Sequence, residues 1–434
     1  MEGKTEFFYD IHCHVMNLSH PNFLAFLRQF ELPAKQKPFR VFITVNLVML
    51  AYFILNSLNN RFLYFVLDKT GIQDIINRVK NLLVIMENDA GTVFSLLEQD
   101  VQKHFCMEGK LVIGDIIFQK IVLTPLMMDF GYKNMTDPRV YYHVKPVKKP
   151  VVSQVIDLFY GIKEYLNHDD GNGRIFEIYP FLGINTANYS LNQVIDLLDK
   201  YFSGYTGSRV DLFGNMGKFN GDIESLTANY FSGIKVYPPL GFDPWPENRW
   251  ERKKVEYLYD YCSNKSIPIT THCSLGGFRT VNLKSAEEFT SPFRWQKVLS
   301  KFPHLRLNFG HFGNQGVWDE WARAIVNLVV DYEHVYTDFS CRAFHNNYYK
   351  SLSKFVHSFD TEYQEKLKQR ILFGSDFMIN LLWIDSYYRY LSVFAGTPQF
   401  CSQEKHDFCH SNPVRFLFPG SIGKIFYGGF PKGS

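Results

Sequence analysis

The sequence predicts an α/β fold, a (β/α)8 TIM barrel with a large α-helical insertion after its first strand. Three observations lead there. Eight short runs rich in β-branched and aromatic residues alternate with longer amphipathic stretches, several of the runs end on an ionisable residue, and roughly 100 residues of helical pattern separate the first run from the second. Strands alternating with helices imply right-handed crossovers and a parallel sheet, and eight such units suit a closed barrel better than an open sheet.

The first predicted strand is Phe7 to Cys13. Helical patterns follow at Phe23 to Phe30, Val41 to Leu58, Phe62 to Leu67, Ile72 to Met86 and Thr92 to Phe105, with Gly71 and Gly91 as breaks. The remaining strands are expected at Lys120 to Met128, Arg174 to Leu182, Phe231 to Tyr237, Ile267 to Cys273, Leu305 to Gly310, Val335 to Phe339 and Ile371 to Ser375. Helices are expected at Val151 to Leu166, Leu191 to Tyr201, Ile223 to Asn229, Glu247 to Ser263, Pro292 to Lys301, Trp318 to Val330, Lys350 to Gln369 and Trp383 to Phe394. The 434 residues then form one barrel domain, 1–434, with an inserted cap or lid at 17–115.

Composition narrows the function. With 46 Lys plus Arg against 43 Asp plus Glu the formal charge is +3, which offers no electrostatic footprint for nucleic acid. The 41 Phe, 26 Tyr and 6 Trp supply a large core, and Phe39, Phe42, Tyr52, Phe53, Phe62, Tyr64 and Phe65 concentrate in the insertion. Seven cysteines without a CxxC pair argue against a disulfide framework and favour a reducing compartment. The first ten residues lack the basic-then-apolar order of a signal peptide, so a cytoplasmic protein is expected. Residues 41–60 carry no charge and are long enough to cross a bilayer, but Asn46, Asn56, Ser57 and Asn59 interrupt them. They are read first as a buried or lid helix and second as a membrane-contacting segment.

The chemistry sits at the strand ends. His12 and His14 are two apart, so strand alternation puts both imidazoles on one face, where they can share a borderline metal ion such as zinc. Alone, an HxH triplet is more often a pair of ordinary half-buried histidines. Lys235 in GIKVYPP, His272 in TTHC, His311 in NFGHFG and Asp376 in FGSD each end a later apolar strand, the place where barrel enzymes build their sites. A desolvated Lys or Asp there needs a partner or a metal. No GxGxxG or phosphate loop follows any strand.

That ordered set, with the strings DIHCH, GIKVYPPLGF, THCS, NFGHFG, ILFGSDF and NPVRFL, resembles the amidohydrolase superfamily, and most of all its second branch, which includes metal-dependent hydrolases of the aminocarboxymuconate semialdehyde decarboxylase type. The resemblance runs from Phe7 to about Phe418 and departs from the family over about Asn17 to Asp115, far longer than the usual first loop. It implies that His12, His14, His272 and Asp376 bind one divalent metal, zinc in this family's usage, while His311 stays near the reacting carbonyl as acid, base or electrostatic stabiliser. Lys235 has two further readings under the resemblance: carboxylated, it bridges two metals with His272 and His311 on the second; unmodified, it binds a substrate anion or pairs with Asp376. A salt-bridged scaffold lysine is the plainer alternative.

A divalent ion polarises a carbonyl and activates a bound water, and Asp376 can take and deliver the proton, which predicts hydrolysis of an amide, ester or lactone in a small-molecule substrate. The alternatives are a decarboxylase or lyase using the same site, and a catalytically silent barrel. Arg279 and Arg342, after the fifth and seventh strands, are expected to anchor a substrate carboxylate, and a salt bridge fixing each loop is the competing role. Asp338 is expected to orient a ligand histidine. Cys13 and Cys273 are read as core, and Tyr237 as a pocket or packing residue. The resemblance also implies a homodimer, for which the inserted helices could supply an interface.

Overall fold

In a computed structural model the described residues are 6–18, 20, 72–130, 151–167, 173–216, 218–313 and 320–419. Strand β1 (Phe7–Cys13) is wholly buried. Helices α1 (Ile72–Met86) and α2 (Ala90–Phe105) come next among the described residues, then the short strands β2 (Cys106–Met107), β3 (Lys110–Ile113) and β4 (Ile116–Phe118). Strand β5 (Lys120–Pro125) pairs in parallel with β1 and with β6 (Phe176–Ile178). A second, six-stranded parallel sheet is built from β7 (Phe181–Gly183), β8 (Gly233–Val236), β9 (Ile269–His272), β10 (Leu307–Gly310), β11 (Val335–Asp338) and β12 (Ile371–Leu372), each next to its predecessor. The two sheets meet at both margins. Ile11 N–H donates to the Phe373 carbonyl at 3.2 Å and Cys13 bridges Phe377 on one side; Met127 N–H donates to the Phe181 carbonyl at 3.1 Å and Leu126 bridges Phe181 on the other.

Every expected strand has a counterpart, most of them shorter at the ends. The strand expected over Arg174 to Leu182 is interrupted between β6 and β7, where Pro180 has no N–H to offer a ladder. The helix expected over Ile223 to Asn229 is a single 3-10 turn, Ile223–Ser225. The helix expected over Lys350 to Gln369 is two, Asn346–Val356 and Thr361–Lys368, because the Asp360 side chain accepts from Tyr363 N–H and starts a new one.

The inserted region is not helical throughout. Residues 106–118 form an antiparallel three-stranded sheet, turning at Glu108-Gly109 and Gly114-Asp115, where Gly109 and Gly114 have φ of +74° and +68°. Gly91 lies within α2 and does not break it; Asp89 caps that helix, and Gly91 sits 3.0 Å, by its would-be Cβ, from the Gly161 carbonyl of the helix Val151–Asn167. The patterns at Phe23 to Phe30, Val41 to Leu58 and Phe62 to Leu67, and Gly71, lie outside the described residues. Among the described residues no helix is long and apolar enough to cross a membrane.

A β-bulge in β1 decides which side chains reach the site. Phe7, Tyr9 and Ile11 share a cluster with Tyr336, Leu372 and the C-terminal Phe416, Leu417 and Phe418, whereas Phe8 and Cys13 pack in the other cluster, among helix residues such as Phe394. The pairing register with β5 shifts between Asp10 and Cys13. An extra residue in a strand re-aims the side chains beyond it, so His12 and His14 leave the face that Phe8 began.

Candidate metal centre

Six of the parallel strands deliver a polar residue at or near the carboxyl end: His12 and His14 on and just past β1, Lys235 on β8, His272 closing β9, His311 just past β10, Asp338 closing β11, and Asp376 in the loop after β12. All seven side chains are buried. His12 Nε2 and His14 Nε2 stand 3.6 and 3.3 Å from the same oxygen, Asp376 Oδ1. His12, His311 and Asp376 each present one ligand atom, and these lie within 4.8 Å of one another. His272 is one contact further out, its Nδ1 3.0 Å from His311 Nε2 and its Nε2 3.3 Å from Ser274 Oγ.

The outer hydrogen bonds fix which nitrogen is free. A carboxylate or carbonyl can only accept, so His12 Nδ1 donates to Asp338 Oδ2 at 2.9 Å, His14 Nδ1 to the Leu126 carbonyl at 2.8 Å and His311 Nδ1 to the Ser340 carbonyl at 3.0 Å. Each Nε2 is thereby left as a lone pair. His12 Nε2 has no hydrogen-bond partner among the described residues although it is fully buried. An orphaned imidazole nitrogen beside a second imidazole and a carboxylate oxygen is the donor chemistry that a divalent ion of borderline softness satisfies.

Two residues hold this arrangement under backbone strain. His311 and Asp376 adopt φ of +65° and +58°, the left-handed region that side chains avoid at a cost of about 1–3 kcal/mol each. Gly374 is needed for a different reason, since a Cβ there would come within 2.7 Å of His12 Cβ.

Charge is distributed to match. Burial alone would raise the Asp376 carboxyl, but the adjacent His14, His311 and His12 rings outweigh it and hold it below its ordinary range. Asp338 behaves alike: burial is outweighed by His12 and His311 and by the Ser340 hydroxyl, and the acid stays ionised. Its Oδ2 also accepts from Asn308 Nδ2 at 2.7 Å and its Oδ1 from the backbone N–H of His311 and Ser340, both at 3.0 Å. Burial pushes Lys235 down to about 8 against the pull of Asp338 and Asp376, and its Nζ has no hydrogen-bond partner among the described residues.

Asp338 therefore orients His12, the role expected for it. Arg279 is buried in the loop after β9, where its guanidinium donates to the Val281 carbonyl at 3.3 Å, and Arg342 is half-buried in the loop after β11. Tyr237 hydroxyl accepts from Phe278 N–H at 3.2 Å, and its ring centroid is 4.6 Å from that of His272, so it packs and positions at once. Cys13 and Cys273 are core residues. Sequence reasoning passed over Ser340, whose Oγ is 3.0 Å from both His12 Nδ1 and His311 Nδ1, and Asn308 and Asp10. A polar residue inside an otherwise apolar strand was the available signal for the last two.

Residues 221–418 match the family model Amidohydro_2, described as amidohydrolase, a span that includes Lys235, His272, His311 and Asp376. No curated protein sequence matches the chain. Among solved structures it is similar to a probable 2-pyrone-4,6-dicarboxylic acid hydrolase from Acinetobacter baumannii, at 10% identity and a TM-score of 0.43 over 94% of this chain and 98% of that one. It is similar to a uronate isomerase from Bacillus halodurans at 11% identity and a TM-score of 0.43, over 95% of this chain and 93% of the other. An amidohydrolase from Mycobacterium avium subsp. paratuberculosis is 12% identical with a TM-score of 0.35, over 69% and 70% of the two chains.

Proposed function

We propose that this chain, which belongs to the amidohydrolase superfamily, is a metal-dependent hydrolase that cleaves an amide, ester or lactone bond of a small-molecule substrate. The observation that carries the reading is the convergence of His12 Nε2 and His14 Nε2 on Asp376 Oδ1, with His311 close by. In this reading His12, His14 and Asp376 hold one divalent ion, zinc by donor type, with His272 or His311 as the further ligand. Such an ion supplies a Lewis acid and a nucleophilic water at neutral pH. Asp376, kept ionised by its histidine neighbours, accepts the proton of the attacking water and returns it to the leaving group. His311 holds the carbonyl oxygen, and Arg279 and Arg342 bind a substrate carboxylate. The two sheets, joined at both margins, are read as one closed eight-stranded barrel, with 17–115 as a cap over the catalytic end and a face for a second copy of the chain.

A specific observation favours a variant with two ions. Lys235 is buried without a hydrogen-bond partner and its pKa is pushed down to about 8, so a neutral amine, the form that adds CO₂, is accessible near physiological pH. Elemental analysis of purified protein separates the variants: one ion per chain supports the first, two the second, and none refutes the metal reading. Product analysis separates hydrolysis from lysis of the same substrate. Solvent ¹⁸O in the product supports hydrolysis, and CO₂ release without it supports the decarboxylase alternative.

A further inference from the structure

Asp10 is a fully buried carboxylate that the reaction above does not use. Its Oδ1 accepts from Ser375 N–H at 2.9 Å and His12 N–H at 3.3 Å, and its Oδ2 accepts from Ser375 Oγ at 2.5 Å and Tyr387 Oη at 3.0 Å. Two of the partners are backbone N–H groups that can only donate and two are hydroxyls, and a carboxylate accepts from all four at once. A lone carboxylate out of water is costly, and hydrogen bonds are what make it tolerable.

What the four bonds grip is the chain on both sides of the site. Ser375 precedes Asp376, and its hydroxyl, while donating to Asp10, accepts from Phe377 N–H at 2.9 Å. Asp376 N–H donates to the His12 carbonyl at 2.7 Å, and Asp376 itself holds φ of +58°. Strain of that kind persists only where the surroundings over-determine it. Tyr387, on the helix Tyr387–Gly396, ties the same carboxylate to the layer outside the strands.

We propose that Asp10 is a positioning residue that holds the Ser375-Asp376-Phe377 turn so that the Asp376 carboxylate faces His12 and His14. The inference rests on the metal reading of this site. Asp338 steadies the His12 ring and Asp10 steadies the Asp376 backbone, so two buried carboxylates on different strands set the two halves of one ligand group. The side-chain amide of Asp10→Asn can turn its oxygen to the two N–H groups and its nitrogen to the two hydroxyls, which can accept. That variant should therefore keep the turn, whereas Asp10→Ala should release it.

The test uses the full-length protein stripped of metal and titrated with cobalt(II) chloride, read by visible d–d absorption, with far-UV circular dichroism as the measure of folding. Asp10→Ala is expected to bind cobalt about 10- to 100-fold more weakly with shifted bands, and Asp10→Asn to recover most of the affinity and the wild-type spectrum. Wild-type affinity and bands in Asp10→Ala, or Asp10→Asn no better than Asp10→Ala, would overturn the role. Should Asp10→Ala not fold, Ser375→Ala decides in its place: weakened binding with shifted bands supports the role, and an unchanged titration overturns it. A wild-type protein that takes up no cobalt refutes the metal reading itself, and this role with it.

Discussion

His12 Nδ1 donates to Asp338 Oδ2 at 2.9 Å with both side chains fully withdrawn from solvent. The two residues are 326 apart in the chain. Their contact selects one tautomer and turns the Nε2 lone pair toward Asp376, so a residue of β11 governs how one of β1 faces the site. Replacing Asp338 by Asn puts an amide where Asn308 Nδ2 and the His311 and Ser340 N–H groups all need an acceptor. Affinity for a divalent ion is expected to fall about 10- to 100-fold, as measured by competition with a chromogenic chelator. Unchanged affinity would show that His12 needs no orienting partner.

In the proposed reading Asp376 combines ligation with proton transfer, and these are separable. Asp376→Asn keeps a ligating oxygen and loses the basic one, so turnover should fall by about 10²- to 10⁴-fold while circular dichroism remains that of the wild type. Turnover within a few-fold of wild type would assign the proton to another group, His311 being the nearest alternative.

Gly374→Ala tests packing at the same place. The new Cβ would lie 2.7 Å from His12 Cβ and 3.1 Å from Ser340 Cβ, and neither neighbour is the far end of a flexible chain. Overpacking of this kind costs about 1–3 kcal/mol, which a lowered urea midpoint would register. A variant as stable as the wild type would mean that β1 can shift without loss.

The strand ends were legible because chemistry and pattern coincide there: an apolar run followed by His, Lys or Asp marks the element and the place where its polar side chain is buried. Two features were hidden for physical reasons. The bulge between Asp10 and Cys13 is a matter of pairing with β5, and nothing in DIHCH announces an extra residue. Alternation still put His12 and His14 on one face, and both imidazoles reach Asp376 Oδ1. The antiparallel sheet at 106–118 was concealed by the helical patterns ahead of it, although Glu108-Gly109 and Gly114-Asp115 are turn dipeptides flanking the apolar run Leu111–Ile113. Which histidine stands nearest the ligand group depends on loop conformation after β10, where His311 and Phe312 both have positive φ, and residue order alone does not encode that.

Acid should unfold the metal-free protein early. Burial lowers the pKa of His14, of His272, where His311 and Lys235 add to it, and of His311, which falls to about 3. In the unfolded chain these rings take up protons as pH drops through about 6.5, while the folded rings stay neutral, so the unfolded state binds more protons. Stability is fully present above that pH and declines below it, by up to about 4 kcal/mol per pH unit for three rings. The depressed carboxyls Asp338 and Asp376 extend the loss in the same direction below the ordinary carboxyl range. Urea midpoints taken between pH 8 and pH 5 should fall; a flat profile would contradict neutral buried histidines.

Lys235 should be a liability to the metal-free fold. Its side chain is 1% exposed, its Nζ lacks a hydrogen-bond partner among the described residues, and burial lowers its pKa from 10.5 to about 8 despite Asp338 and Asp376. Below pH 8 the amine is charged in the folded and unfolded states alike, and the folded state bears the full cost of burying it. Between about 8 and 10.5 only the unfolded chain holds the proton, so stability rises with pH across that window. Lys235→Met fills similar space without the charge, and at pH 7 the metal-free variant is expected to gain on the order of 1–3 kcal/mol, a gain that shrinks as pH approaches 10. Thermal midpoints at the two pH values measure it, and a variant less stable than wild type at pH 7 would show that the ammonium has a stabilising partner. Turnover is expected to fall in the same variant. A substitution that strengthens the fold and weakens the activity marks a residue retained for what it does at the site, which the scaffold role for Lys235 cannot explain.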